Sequence, residues 1–160
     1  ELQAYARVAL GASGQGLQIP IRVIPYAFAP SAATIARLEP ALQERFGRGA
    51  RMDLQVPVAY GDEATLASRM NDCREGCALL MNLAATPELE NHGRVLEAAR
   101  ARQRDTAGAP CVLLIDEESY ATRFGADAST GRLEQRRQLW REFAARHGTD
   151  VHFLVAKSVA

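Results

Sequence analysis

Lysine is almost missing from this chain: of 19 basic side chains only Lys157 is not arginine, and 19 acidic ones bring the net charge to zero. With no overall field to gather polyanions, the balance argues against nucleic acid as a partner and gives no general pull toward an anionic membrane surface. Arginine and alanine are so abundant that coding bias accounts for them as well as guanidinium chemistry does, so single arginines carry little weight. Cysteine is also scarce. Cys73, Cys77 and Cys111 are an odd and sparse set, which argues against a disulfide framework and for a reducing compartment. Cys73-x-x-x-Cys77 would be half a metal site, but no paired motif brings further ligands from His92, His147 or His152. The thiols are expected instead as small buried apolar groups, with no metal site.

Long apolar runs are absent too. None reaches the ~18 residues a membrane span needs, and there is no signal-peptide pattern, so this piece reads as soluble. It starts at Glu1 rather than Met, as a segment processed or excised from a longer protein would. Its 160 residues suit one domain, large enough to bury roughly 70% of its unfolded surface.

Residues 1–17, with Gly11-Ala-Ser-Gly14-Gln-Gly16, read as a linker or flexible tail. The run is not a phosphate loop, because it has no Gly-Lys-Ser/Thr ending and no preceding strand. Residues 18–160 then alternate strands with helices as a single α/β domain. Ile19–Ile24 forms the first strand, with Pro20 at a start or edge position. Ser31 caps a helix carrying Ile35, Leu38, Leu42 and Phe46 at helical spacing, which Pro40 should kink or divide and Gly47 should end. Arg51–Pro57 alternates as a half-covered edge strand, and Gly61-Asp62 leads into a helix through Met70. Cys77–Met81 and Cys111–Ile115 are apolar at every position, as central strands covered on both faces would be. Between them Thr86 is the natural N-cap, and Pro87 the first-turn residue, of a helix to about Asp105. A short turn at 119–124, a loop at 125–131, a long helix with Leu133, Leu139, Trp140 and Phe143, and a last strand Val151–Val155 follow. Right-handed crossovers then give a three-layer, doubly wound, mainly parallel five-stranded sheet, Rossmann-like or flavodoxin-like, in the order 2-1-3-4-5.

That topology gathers the carboxyl ends of the strands on one rim, with Tyr26, Ser31, Tyr60, Asp62, Asn82, Thr86, Asn91, His92, Asp116, Glu117 and Lys157 on or beside it. Thr86 is accounted for by free N–H groups at its helix start, and Glu88 and Glu90 by the helix dipole. Those two acids occupy the positive potential that a phosphate would need. His92 has the right titration range for acid–base work but no nucleophile beside it, so a helix-packed or exposed histidine is expected. Leu113-Leu-Ile-Asp116-Glu117 resembles the strand ending by which nucleoside triphosphatases hold magnesium, yet nothing cradles the phosphates. Asp116, Glu117 and Glu118 either take a divalent cation or cap the short helix that follows, and the pattern favours capping. Lys157 is placed to neutralise the Asp116 cluster. Phospho-acceptor receiver domains share such an acid and lysine layout, but Asn82 stands where their acceptor aspartate would be, and an amide forms no acyl phosphate. The arginines of 94–104 and 132–146 read as solvated helix faces, or as docking surfaces for acidic proteins or lipid head groups.

Pro57-Val-Ala-Tyr60-Gly61-Asp62-Glu63, Asn82-Leu-Ala-Ala-Thr86-Pro87-Glu88-x-Glu90-Asn91-His92-Gly93, Leu114-Ile-Asp116-Glu117 and Arg123-Phe124-Gly125 together resemble a proteobacterial family of unknown function that looks like inner-membrane proteins. The resemblance covers most of residues 18–157. It implies a membrane-spanning part ahead of a soluble C-terminal domain on the cytoplasmic side, and a neighbouring gene for a membrane-associated GTPase as partner. It supplies no catalytic residues. Two readings follow: a regulatory or interaction module of a membrane protein working with a GTPase, or a metal-assisted hydrolase of a small or nucleotide-like substrate using Asp116, Glu117, Asn82 and His92.

Overall fold

The computed structural model describes residues 18–71, 76–85, 93–94, 97, 111–118 and 130–155. In chain order these form β1 (Ile19–Pro25), α1 (Ala32–Phe46), β2 (Ala50–Leu54), α2 (Glu63–Asn71), β3 (Cys77–Asn82), β4 (Cys111–Asp116), α3 (Thr130–Arg146) and β5 (Asp150–Leu154). The five strands make one parallel sheet in the order β2-β1-β3-β4-β5, the doubly wound arrangement expected from the sequence. The linker at 1–17, the Thr86 cap and its helix start, the turn at 119–124 and Lys157 lie outside the described residues.

Strand β3 takes the centre because its side chains have no polar face to offer water. Cys77 to Met81 are all buried, and so are Val112 to Ile115 beside them in β4. Successive side chains go to opposite faces. Leu79, Met81, Leu113 and Ile115 enter one core layer with Trp140 and Phe143 of α3 and Leu66 and Met70 of α2. Ala78, Leu80, Val112 and Leu114 enter the other, under Leu38 and Leu42 of α1. Each fully buried leucine contributes about 1.5–3 kcal/mol, and in a parallel sheet both faces must be covered to collect it. On the α3 side Trp140 and Phe143 meet edge to face, with ring centroids 5.5 Å apart. Leu139, expected on the apolar stripe, is 43% exposed, one position off the buried face.

Helix α1 begins where Ser31 Oγ accepts the Thr34 N–H at 3.2 Å, and ends where the Gly47 N–H bonds the Gln43 carbonyl at 2.9 Å. Pro40 does not divide it. Proline removes the bond to the carbonyl four residues earlier, but Ala36 and Pro40 both lie on the exposed side, open to water, while Leu38, Ala41 and Leu42 hold the inner face. β2 stops at Leu54 rather than Pro57, since beyond Leu54 only an isolated bridge, Tyr26 with Val58, continues the pairing. Gly76, just before β3, has φ +149°, and a Cβ there would sit 3.0 Å from Phe46 Cε1, so the close approach of α1's end to the sheet requires glycine.

Candidate functional site

The alternation that builds the core decides where the rim side chains go. Asp116 follows Leu114 onto the α1 face and Glu117 follows Ile115 onto the α3 face, both almost fully buried. Asp116 Oδ1 accepts two hydrogen bonds, from the Thr34 hydroxyl at 2.9 Å and from the Glu118 N–H at 3.0 Å. Thr34 is itself fully buried in the first turn of α1 and is reached by the Ser31 hydroxyl at 3.3 Å. Burial pushes the Asp116 carboxyl above the usual aspartate range; the two hydrogen bonds and the Arg37 charge pull it back only in part. Glu117 takes a two-pronged bond from Arg137 of α3, with Nε to Oε2 at 2.6 Å and Nη2 to Oε1 at 2.7 Å. This contact holds the guanidinium even more firmly protonated than usual. Glu118 returns to the α1 side and pairs with Arg37 at 2.9 Å.

Three consecutive acids therefore fasten both helices to the end of β4. Asp116 bonds the Glu118 N–H, whereas Glu117 and Glu118 bridge to helices; the short helix they were expected to cap lies outside the described residues. Because Asp116 and Glu117 face opposite sides of the sheet, they cannot share one cation. Among the described residues no group of three His, Cys, Asp or Glu side chains converges on a metal position.

Asn82 lies beside Asp116 in the β3–β4 register. Its side-chain oxygen is turned into its own loop, accepting the Ala84 N–H at 2.9 Å, while its carbonyl accepts the Ala85 N–H at 3.0 Å. Asp62 caps α2 by accepting the Thr65 N–H at 3.1 Å, and its hydrogen bonds to Thr65 hold its carboxyl below the usual range. Tyr60 is 52% exposed and its ring lies 6.2 Å from that of Tyr26. The buried Tyr26 hydroxyl accepts the Gly61 N–H at 2.7 Å, and desolvation is the main reason its proton is held more tightly than in free tyrosine.

Of the eleven residues placed on or beside the rim from the sequence, the structure brings Asn82, Asp116 and Glu117 to the β3–β4 rim, puts Tyr26, Tyr60 and Asp62 at the β1–β2 rim, and sets Ser31 at the start of α1. Thr86, Asn91, His92 and Lys157 lie outside the described residues. Sequence reasoning missed Thr34, Arg37 and Arg137. Thr34 had a local signal, three residues after a capping serine, but nothing near Arg137 in the chain tells that it meets residue 117. An open cleft of about 440 Å³ lies at the opposite pole, at the amino ends of β4 and β5, lined by Arg45, Val112, Arg141 and His152 among others. It is remote from the rim, and Arg45 and Arg141 there are already paired with Asp150 and Glu134.

Among the described residues no helix is long and apolar enough to cross a membrane. No family model matches the chain, and no curated protein matches it. Among solved structures it is similar to the TIR domains in the activated Roq1 resistosome that directly recognizes the pathogen effector XopQ, with 14% identity over 82% of this chain and 87% of that one and a TM-score of 0.35.

Proposed function

We propose that this chain is a non-enzymatic regulatory or interaction module of a bacterial inner-membrane protein, lying on the cytoplasmic side and binding a GTPase through the rim at the carboxyl ends of its strands. One observation supports this over catalysis: four carboxylates at the described rim are already engaged. Asp116 is bonded to Thr34 and its own turn, Glu117 to Arg137, Glu118 to Arg37 and Asp62 to the start of α2. A hydrolase working through Asp116 and Glu117 would need those oxygens turned toward one cation and a substrate, and they are turned apart. The membrane, the GTPase and the cytoplasmic side rest on the family resemblance of residues 57–63, 82–93, 114–117 and 123–125.

A thermal-shift series with the purified GTPase, with nucleotides and with magnesium tests the reading in wild type and in Asp116→Ala. The module reading expects stabilisation by the GTPase and none by magnesium with nucleotide. Stabilisation by nucleotide and metal that disappears in Asp116→Ala would replace it with the hydrolase reading.

A further inference from the structure

Past β1 and β2 the chain makes two adjoining loops without a charged side chain, residues 26–30 (Tyr-Ala-Phe-Ala-Pro) and 55–61 (Gln-Val-Pro-Val-Ala-Tyr-Gly). They are stitched together: the Ala27 N–H bonds the Val58 carbonyl at 2.8 Å, the Val58 N–H bonds the Pro25 carbonyl at 2.8 Å, and Gly61 donates to Tyr26. Ala27 is held at φ +67°, a left-handed conformation that costs a non-glycine residue free energy and persists only where its surroundings enforce it. The core accounts for Tyr26 and Val58, each 2% exposed, but not for their outward neighbours. Val56 is 73% exposed and Tyr60 52%, with Ala27, Pro57 and Ala59 also on the surface. Contiguous apolar surface on a rigid frame, rather than a scattered residue, marks an interaction site.

The charge at its border selects the partner. Asp62 and Glu63 follow directly in the chain and act on the Tyr26 hydroxyl, and Asp62 is held ionised by its bonds to Thr65. Arg69 donates to the Val56 carbonyl and its charge also acts on Asp62, so the border of two acids and one arginine keeps a net negative charge. We infer that this loop pair docks a protein segment carrying a lysine or arginine beside an apolar side chain. The apolar side chain covers Val56 and Tyr60, while the cation sits against the Tyr60 ring within reach of Asp62 and Glu63. Because the loops are already fixed, binding loses little to ordering. An acidic peptide, a nucleic-acid strand or an anionic lipid head group would meet the two carboxylates instead.

The inference rests on the interaction-module reading and names the chemistry of the partner at its rim. Titrating the isotope-labelled chain with short synthetic peptides, alternating Leu and Lys or alternating Leu and Glu, and following amide shifts tests it. The Leu/Lys peptide is expected to saturate, to move Ala27, Ala59 and Gly61, and to weaken by about tenfold, the order of a lost cation–π contact and its apolar neighbour, in Tyr60→Ala and in Asp62→Asn combined with Glu63→Gln. Asparagine keeps the α2 cap, so the double variant stays folded. Shifts elsewhere, no saturation, or equal binding of the Leu/Glu peptide would overturn the patch. Undiminished GTPase binding by Tyr60→Ala would overturn the patch and leave the module reading standing, whereas Leu/Lys binding at the loops with no GTPase binding would do the reverse.

Discussion

Replacing Arg137 with methionine strands a carboxylate. The Glu117 side chain is 3% exposed and meets Arg137 through two short bonds, so the variant keeps an apolar stem of similar length on α3 but leaves the acid buried opposite nothing. Breaking a buried pair from one side costs about 3–5 kcal/mol, and because Arg137 is itself 22% exposed the lower end, about 3 kcal/mol, applies. That is a large part of the ~5–15 kcal/mol by which domains are stable. At roughly 2–4 °C per kcal/mol for a domain of this size, the melting temperature should fall by about 6–12 °C. Urea unfolding followed by circular dichroism gives the free energy directly, with an unchanged slope showing that the same surface is exposed. Pairing the change with Glu117→Leu should recover most of the loss, because two apolar groups replace the pair without an orphan charge. A loss in Arg137→Met below about 1 kcal/mol, the value of an exposed surface pair, or a double variant no better than the single one, would refute the fastener account of Glu117.

Burial raises the Asp116 carboxyl above its unfolded value, so folding favours its protonated form: that stability is complete below the unfolded pKa and is lost as pH rises through the folded one. Asp116→Asn, whose amide oxygen still accepts from Thr34 and Glu118, should therefore flatten the dependence of stability on pH above the ordinary aspartate range, as urea midpoints from acid to neutral pH would reveal; a wild-type-like slope in the variant would contradict this. Thr34→Val keeps the shape but removes the donor to a buried carboxylate and should cost about 1–3 kcal/mol in the same assay. Gly76→Ala, with its left-handed φ and a Cβ pressed against Phe46 and Ile21, should cost about 1–3 kcal/mol, and a neutral result would show that the Phe46 ring can move aside.

The sheet was legible because its signals are local. Two apolar pentads, Cys77–Met81 and Cys111–Ile115, could be only central strands, and Ser31 and Gly47 marked a helix at both ends. The order 2-1-3-4-5 was expected by analogy with flavodoxin-like folds, and the sheet has it. The misjudged details were decided by neighbours: Pro40 is tolerated because its turn faces water, and β2 ends early because the next rungs would need N–H donors from Pro25 and Pro57, which have none. Asn82 and Asp116 were both expected on the rim, and the β3–β4 register sets them side by side. Their chemistry was not readable, because it depends on where Thr34 and Arg137 arrive from, and those contacts span 82 and 20 residues of chain. A capping acid and a buried fastener look alike until the helix that meets them is in place.

Asp116, Glu117 and Glu118 bind α1, α3 and α1 again within three residues at the end of β4. Two layers on opposite faces of the sheet thus share one hinge pin, two peptide bonds long. A force that shifts α1 at its first turn reaches α3 through backbone too short to absorb it, so the two faces respond as one body. Substitutions at Thr34 and Arg137, though on different helices and different faces, should fail to add. A ligand that grips either helix near this end will stiffen both.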